Sequence, residues 1–285
     1  MKLSVIIPCY NSAATLGFQL EALVRQQWPE PWEIVVADNG STDCSRQVAE
    51  SFRDRLPNLR VVDASERKGA AYARNTAIKA AVGESFALCD ADDEVGDGWL
   101  AAMGDALARH DFVACRMETA KLNPRWMRGH EQEKGLQTIW YPPWLPHAGS
   151  GTMGFKRTVF DAVGGFDENM HALEDTEFSF QVQKKGFILH FVPEAVLHVR
   201  RRGTLMDHYR QSRNYAEFNV ILAKRHWTSE TSAWRYWMGF MSDWAVLLRK
   251  LPGLRTMSGR YSWMWCFGRQ IGRIKGVLKR GGVPV

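Results

Sequence analysis

"GAAYARNTAIKAAVGESFALCDADDEV", Gly69 to Val95, is the stretch that decides the fold. Its first half is Ala-rich and closes on Gly83, so it reads as a helix with a glycine stop. Its second half, "SFALCD", is a short apolar run and reads as a buried strand. The strand ends on carboxylates: Asp90, Asp92 and Asp93, with Glu94 close behind. Residues two apart in an extended chain point the same way, so Asp90 and Asp92 converge. Carboxylates that close raise one another's pKa unless a cation sits among them. A solvated loop capping the next helix would need no cation. The position at the mouth of an apolar strand favours a hard divalent metal, which keeps open positions for phosphate.

The same alternation runs outward in both directions. "KLSVIIPCY" (2–10) is β-prone, and "NSAATLGFQLEALVRQQ" (11–27) puts Leu16, Leu20, Leu23 and Val24 on one helical face, with Asn11 or Ser12 as cap. "WEIVVAD" (32–38) and "NLRVVDA" (58–64) are strands, and the helix between them takes Ser41 as cap and turns Val48 and Phe52 inward. Downstream come a helix near 98–109, a strand "FVAC" (112–115), a helix "LEDTEFSFQVQKKG" (173–186) and a strand pair in "FILHFVPEAVLHV" (187–199), broken at Pro193. Strands alternating with helices over short connections mean βαβ units, a parallel sheet and helices on both faces. Such sheets bind ligands beyond the carboxyl ends of their strands, where Asp38, Asp63 and Asp90 sit.

The 285 residues suit one sizeable α/β domain with an extension, or two small domains. No apolar run reaches the length of a membrane span. The opening "MKLSVIIPCYN" meets Pro8 too soon for a signal peptide and reads as a first strand. The five cysteines are scattered, with no CxxC, as expected of reduced residues in a cytosolic protein. The net charge of +6 hides an asymmetry. Residues 199–285 carry 17 Lys+Arg against 4 Asp+Glu, while residues 1–198 carry 20 against 27. An acidic body with a basic tail meets two kinds of partner.

Further residues could carry chemistry, and each has a plain structural reading beside it. His198 ends a strand and could complete a metal site, although a lone His is more often structural. Glu174 and Asp175 open a helix, where acidic residues suit the macrodipole, but a carboxylate there could also act as general base. The glycines of "HAGSGTMGF" (Gly149, Gly151, Gly154) fit neither the dinucleotide nor the phosphate-loop pattern, yet would let backbone approach a ligand. Arg67, Lys68, Gly69, Arg74 and Asn75 form a cationic stretch that could neutralise a diphosphate, or simply a surface helix.

The order of these segments is more specific than any one of them. "SVIIPCYN", "VVADNGSTD", "GAAYARN", "LCDADDEV", "GFD…LEDTEFSFQVQKKG" and "VLHV" follow one another, and over roughly residues 1–200 the chain resembles the family 2 glycosyltransferases. The resemblance implies a GT-A fold, a Rossmann-like, doubly wound and mostly parallel α/β sheet, here with a C-terminal helical extension. It implies a catalytic domain over 1–204, with nucleotide-sugar binding in 1–115 and the acceptor and catalytic part in 116–204, followed by a basic, Trp-rich extension over 205–285. Pro8, Tyr10, Asp38, Gly69, Arg74 and Asp90 match nucleotide-sugar-binding positions. Asp92 and His198 match metal ligands for Mn²⁺ or Mg²⁺. Asp175 matches the catalytic base, with Glu174 beside it. The implied reaction is inverting transfer from a UDP-, GDP- or dTDP-sugar to a glycan or lipid-linked acceptor, in cell-surface glycan, glycolipid or polysaccharide synthesis. A QxxRW motif is missing, since Gln211 and Arg213 lack its spacing, so a single addition is expected rather than polymerisation. The competing readings are a nucleotidylyltransferase or retaining transferase on a related fold, and a non-catalytic membrane-docked adaptor.

The tail divides in two. Trp234, Trp237, Met238, Met241, Trp244, Ala245 and Leu248 form a stripe at helical spacing, expected to pack on the catalytic domain or on a second subunit of a homodimer. Phe267, Ile271, Ile274 and Leu278 form another, ringed by Arg and Lys, which assigns residues 263–280 to a membrane surface on the inner, cytoplasmic side. No nucleic-acid motif accompanies the basic charge, so nucleic acid is not an expected partner.

Overall fold

The computed structural model describes residues 1–127, 136–138, 145–226 and 232–285. Residues 128–135 and 139–144, within the Pro- and Trp-rich stretch 117–150 whose length suggests a functional loop, lie outside the described residues. The elements begin β1 (Leu3–Cys9), α1 (Leu16–Val24), β2 (Trp32–Asp38), α2 (Ser45–Glu50), β3 (Leu59–Asp63), α3 (Ala70–Ala80) and β4 (Ser85–Leu88). They continue with β5 (Glu94–Val95), α4 (Trp99–Arg109), β6 (Phe112–Glu118) and two short strands, β7 (Gln137–Thr138) and β8 (Pro146–His147). Then come β9 (Met153–Lys156), α5 (Arg157–Val163), α6 (Glu174–Lys184), β10 (Leu189–His198), α7 (Leu205–Arg225), α8 (Ala233–Arg249) and α9 (Met257–Arg280). The described residues form two units, one mainly Met1–Leu122 and Pro146–Arg200, the other mainly Arg201–Val285.

The first unit is an eight-stranded sheet in the order β3-β2-β1-β4-β9-β6-β10-β5. β1 pairs in parallel with both β2 and β4, β2 with β3, and β6 with β10. The sheet is therefore mostly parallel, and the strand order reverses at β1, the place where open α/β sheets form a ligand crevice. β9 departs from the parallel expectation: it lies antiparallel between β4 and β6, and it carries Gly154 of the glycine set. Helices cover both faces. Leu16, Leu20 and Leu23 of α1 pack with Trp99 and Met103 of α4 on one side, and Ala73, Ala77 and Ile78 of α3 pack with Phe155, Phe160 and Phe178 on the other. Each Leu, Ile, Met or Phe among them contributes about 1.5–3 kcal/mol on full burial. Cys9, Cys89 and Cys115 are buried and free.

Three local readings change. α1 starts at Leu16 behind Thr15, not behind Asn11 or Ser12. α2 starts at Ser45, not behind Ser41, because the Ser and Asp side chains of 38–45 bond neighbouring backbone and hold it out of the helix. Ser41 Oγ accepts from the Asn11 N–H at 3.0 Å, and Asn11 Oδ1 accepts from the Thr42 N–H at 2.8 Å, tying the ends of β1 and β2 together. Pro193 does not split a strand pair. β10 runs on through it, with its register against β6 shifting between Val192 and Val196, as a residue without an N–H requires.

In the second unit α7 and α9 run parallel, backbone close to backbone. A Cβ on Gly268, Gly272 or Gly276 would collide with the carbonyl oxygens of Tyr209, Arg213 and Glu217 respectively. Glycine at every fourth position of α9 meets every fourth carbonyl of α7, which permits the short interaxial distance. Arg273 is buried beside them, its Nη1 2.7 Å from Asp243 Oδ2 and its Nε donating to the Val285 carbonyl at 2.8 Å. The face of α9 that is sealed is thus its glycine face. Of the stripe assigned to a membrane, Phe267 and Ile271 are half-buried, while Ile274 and Leu278 are exposed. The Phe240 and Leu247 carbonyls of α8 accept from the Gln270 and Trp263 side chains of α9, and the stripe on α8 expected to be covered is mostly exposed.

Candidate active site

The register of the sheet places Cys9, Asp38 and Asp63 in one row at the carboxyl ends of β1, β2 and β3. Pro8 lies half-buried in β1, and Tyr10 stands exposed just past its end. Asp38 accepts the Ser41 N–H at 3.0 Å. Beside it, the buried Asn39 side chain donates to the Arg67 carbonyl and accepts the Gly69 N–H, both at 2.8 Å. Gly69 has φ +136, a conformation that favours glycine, and it opens α3. Pro8, Tyr10, Asp38 and Gly69 thus share one mouth of the sheet, and Asn39 is the staple that holds Gly69 there.

Arg74, on α3, is the centre of a second group. It is buried, with Nη1 donating to Glu174 Oε1 at 2.7 Å and Nη2 to Asp90 Oδ1 at 2.9 Å. Burial works against its charge, and Asp90 and Glu174 outweigh that effect, so its pKa is pushed up and it stays protonated. Glu174 and Asp175 enter from α6 behind Leu173, which has φ +60. A non-glycine residue held there costs of order 1 kcal/mol, and such strain concentrates at functional positions. Asp175 accepts the Ser150 N–H at 3.0 Å and the Thr176 N–H at 2.7 Å. Burial raises its pKa above the ordinary carboxylate value, against the charge of Arg74 and these two bonds. Burial and then the charge of Asp175 raise that of Glu174 as well. The glycine loop closes on the same carboxylates. A Cβ on Gly151 would sit 3.0 Å from Asp90 Oδ2, and one on Gly149 would sit 4.0 Å from Asp175 Oδ2. Gly154, by contrast, packs against Met103, Phe86 and Leu107 in the core.

The remaining carboxylates of the opening motif are held separately. Asp93 is buried and accepts the Arg200 N–H at 2.8 Å, while Arg200 Nε donates to the Asp92 carbonyl at 3.0 Å. Burial, then the charges of Asp90 and Asp92, push the Asp93 carboxyl well up. His198 pairs in register with Glu94 of β5 on one side and Glu118 of β6 on the other. Its Nδ1 lies 2.6 Å from Glu118 Oε2. Burial pushes Glu118 up, but hydrogen bonds from His198 and the Ala120 and Lys121 N–H groups overcome it and hold its pKa low. An ionised carboxylate only accepts, so Nδ1 is the donor in this pair, and in a neutral imidazole with that tautomer Nε2 carries the lone pair. Gly96 leaves that nitrogen room, since a Cβ there would lie 3.5 Å from it. Among the described residues no three His, Cys, Asp or Glu side chains form a ready cage for a metal. Mg²⁺ and Mn²⁺ need no such cage, because one or two protein ligands plus substrate phosphates suffice. Asp92 and His198 are donors of the oxygen and nitrogen types such a site takes.

The structure therefore brings Arg74, Asp90, Glu174 and Asp175 together, and gathers Pro8, Tyr10, Asp38 and Gly69 at the neighbouring strand ends. Glu118, Ser150, Asn39 and Arg200 are participants that sequence reading missed. Glu118 had one signal: like Asp38, it ends an apolar strand. Ser150 had none, since it contributes a backbone N–H.

The profile of "Glycosyl transferase family 2" matches residues 4–164, more than half the chain, and that of "Glycosyl transferase family group 2" matches residues 121–271. The uncharacterized glycosyltransferase YibD of Escherichia coli is 40% identical over 94 residues, 33% of this chain and 27% of YibD. A poly(ribitol-phosphate) beta-glucosyltransferase of Bacillus spizizenii is 38% identical over 98 residues, 34% of this chain and 16% of that protein. These matches span about a quarter or less of the relatives' length. Among solved structures, mannosyltransferase PcManGT from Pyrobaculum calidifontis, in complex with GDP-Man and Mn²⁺, superposes with TM-score 0.69 at 21% identity, covering 98% of this chain and 88% of that one. Staphylococcus aureus TarS 1–349 in complex with UDP superposes with TM-score 0.56 at 21% identity, covering 99% and 92%. The fold is the mixed, mostly parallel GT-A type with added C-terminal helices, and by its profile match the chain belongs to glycosyl transferase family 2.

Proposed function

We propose that the protein is an inverting, metal-dependent glycosyltransferase that moves one sugar from a nucleotide-diphosphate sugar to an acceptor hydroxyl. The observation that carries this reading is Arg74 clamped between Asp90 and Glu174, with Asp175 raised in pKa alongside. A base with a raised pKa takes a proton more readily near neutral pH. Asp175 takes the proton of the acceptor hydroxyl as that oxygen attacks the anomeric carbon. The new C–O bond forms on the face opposite the departing nucleoside diphosphate, which leaves with the bonding electron pair, so the configuration inverts. The Ser150 N–H fixes the carboxylate's orientation and Arg74 fixes its neighbours. Asp92 and His198 would hold a divalent cation, which would supply charge neutralisation for the leaving diphosphate.

Pro8, Tyr10, Asp38 and Gly69 hold the nucleoside, Asp38 taking the base. The structural neighbours are described with UDP, UDP-GlcNAc and GDP-Man, which makes UDP- and GDP-sugars the first donors to try, ahead of dTDP-sugars. Residues 1–204 are the catalytic domain in this account and 205–285 its extension. The acceptor is a glycan or lipid-linked sugar of a cell-surface polymer, in keeping with the poly(ribitol-phosphate) glycosyltransferase names among the relatives.

The test is to incubate the protein with each donor, Mn²⁺ and sugar-lipid or oligosaccharide acceptors, and to read product linkage by proton NMR. Inversion at the anomeric carbon, lost in Asp175→Asn, is expected. Retention, or an Asp175→Asn variant of full activity, contradicts the reading.

A further inference from the structure

On α8 the covered side chains occupy one arc: Tyr236, Phe240 and Leu247 are buried, and Asp243 pairs with Arg269 and Arg273 of α9. At about 100° per residue, Trp237, Leu248, Met241, Trp234 and Met238 fall within a separate arc of about 100° beside it. None of these five is covered: Trp234 is 70% exposed, Leu248 65% and Met241 61%. Leu251 and Met257, in the connection to α9 and its first turn, continue the exposed apolar surface. A contiguous patch of this kind on a soluble surface marks an interaction site.

The flank of that arc away from α9 is cationic. Arg249 and Arg235 follow Met238 around the helix, both exposed. Lys250 and Arg255 lie in the turn after α8, and Arg260 in the first turns of α9. Arg235, Arg249 and Arg255 make no ion pair among the described residues. Residues 232–285 hold ten Lys and Arg and a single Asp, and that Asp243 is already engaged by Arg269 and Arg273. No helix of the described residues is long and apolar enough to cross a bilayer. An apolar arc of Trp, Met and Leu bordered by uncompensated Arg is the composition of a helix lying in a membrane interface.

We infer that the exposed Trp234–Leu248 face of α8 docks the protein on an anionic lipid surface, with the Trp and Met side chains entering the headgroup region and Arg235, Arg249 and Arg255 meeting the lipid charge. The negative potential the cations need is that of an anionic bilayer. A second copy of the same positively charged face would repel it. This places the lipid contact on α8 rather than on the α9 segment 263–280, and it holds whatever the sugar chemistry of the other unit.

Sedimentation of the full chain with vesicles tests it, using phosphatidylcholine alone and phosphatidylcholine mixed with phosphatidylglycerol. Three cations near an anionic surface raise affinity by on the order of a hundredfold, and added salt reduces it. Trp234→Ser with Met241→Ser should release the protein from the vesicles, while its circular dichroism and melting temperature stay as in the parent, because these two side chains are 70% and 61% exposed. Arg235→Gln with Arg249→Gln should cut binding at least tenfold and flatten the salt dependence. Failure to bind anionic vesicles, or undiminished binding by the Trp/Met variant, overturns the proposal. A concentration-dependent dimer in sedimentation velocity, dissolved by the Trp/Met change and without vesicle binding, also overturns it and gives the face to a second copy.

Discussion

Arg74 and Glu174 stand a hundred positions apart in the chain, and the Nη1–Oε1 distance between them is 2.7 Å. The second Nη of the same guanidinium holds Asp90, so one buried cation joins the acidic strand end to the acidic helix start. A planar fork with two directed donors can do this, whereas the point charge of a lysine cannot.

Removing that cation should cost stability before it costs chemistry. Arg74→Ala leaves Glu174 and part of Asp90 facing each other without a counter-charge, and breaking such a buried pair costs about 3–5 kcal/mol. Urea denaturation should show that loss. Arg74→Lys should recover part of the stability and little of the nucleotide binding.

Asp175→Asn should behave in the opposite way. Loss of a general base reduces the catalytic rate by on the order of 10²–10⁴. The folded protein raises the pKa of Asp175, so its ionised form is disfavoured by folding. That cost is absent at pH values below the unfolded carboxyl pKa and grows as pH rises through the folded one. The variant should therefore melt no lower than the parent at pH 8, with any advantage shrinking as pH falls. Melting curves across pH check this.

The same raised pKa sets the pH profile of transfer. Only ionised Asp175 can accept a proton, so kcat/KM should rise with pH along an acid limb lying above about 3.9, the ordinary value for Asp. A limb at the ordinary value would remove Asp175 from the role of base.

Glu118→Gln tests the imidazole's support. Losing a carboxylate that orients a ligating His lowers metal affinity by about 10–100-fold. Titration of Mn²⁺ followed by electron paramagnetic resonance should show this directly, without reference to activity. His198→Ala should weaken Mn²⁺ binding further, and adding Glu118→Gln to it should then have little additional effect.

Gly272→Ala tests the packing of α9 on α7. On an exposed helix this change would stabilise by about 1 kcal/mol. Here the new Cβ meets the Arg213 carbonyl of α7, so a loss of about 1–3 kcal/mol is expected, as for other overpacked contacts. Denaturant melts give the sign.

The strand–helix alternation from β1 to β6 was legible because apolar period and short turns both point to the same elements. Asp90, Asp92, Glu174, Asp175 and Arg74 were legible as chemical types, but the contacts among Arg74, Asp90 and Glu174 are tertiary and leave no local trace. The glycine face of α9 was not legible, for a definite reason. Hydrophobic periodicity follows large side chains, whereas Gly268, Gly272 and Gly276 seal their face by having none. Pro193 looked like a break because a missing N–H can be met by ending a strand or by shifting its register, and β10 takes the second course. Glu118 escaped because its partner, His198, lies eighty residues away on the adjacent strand.

Calorimetric titration of UDP, GDP and dTDP into the protein, with Mn²⁺ or with EDTA, tests the central claim most directly. The account predicts that one diphosphate binds only with metal, and that Asp92→Asn abolishes the heat. At a hundred times its Kd that ligand should stabilise the fold by about 2.7 kcal/mol. Absence of binding by every nucleotide in the presence of Mn²⁺ and Mg²⁺, or binding indifferent to both EDTA and Asp92→Asn, would contradict it.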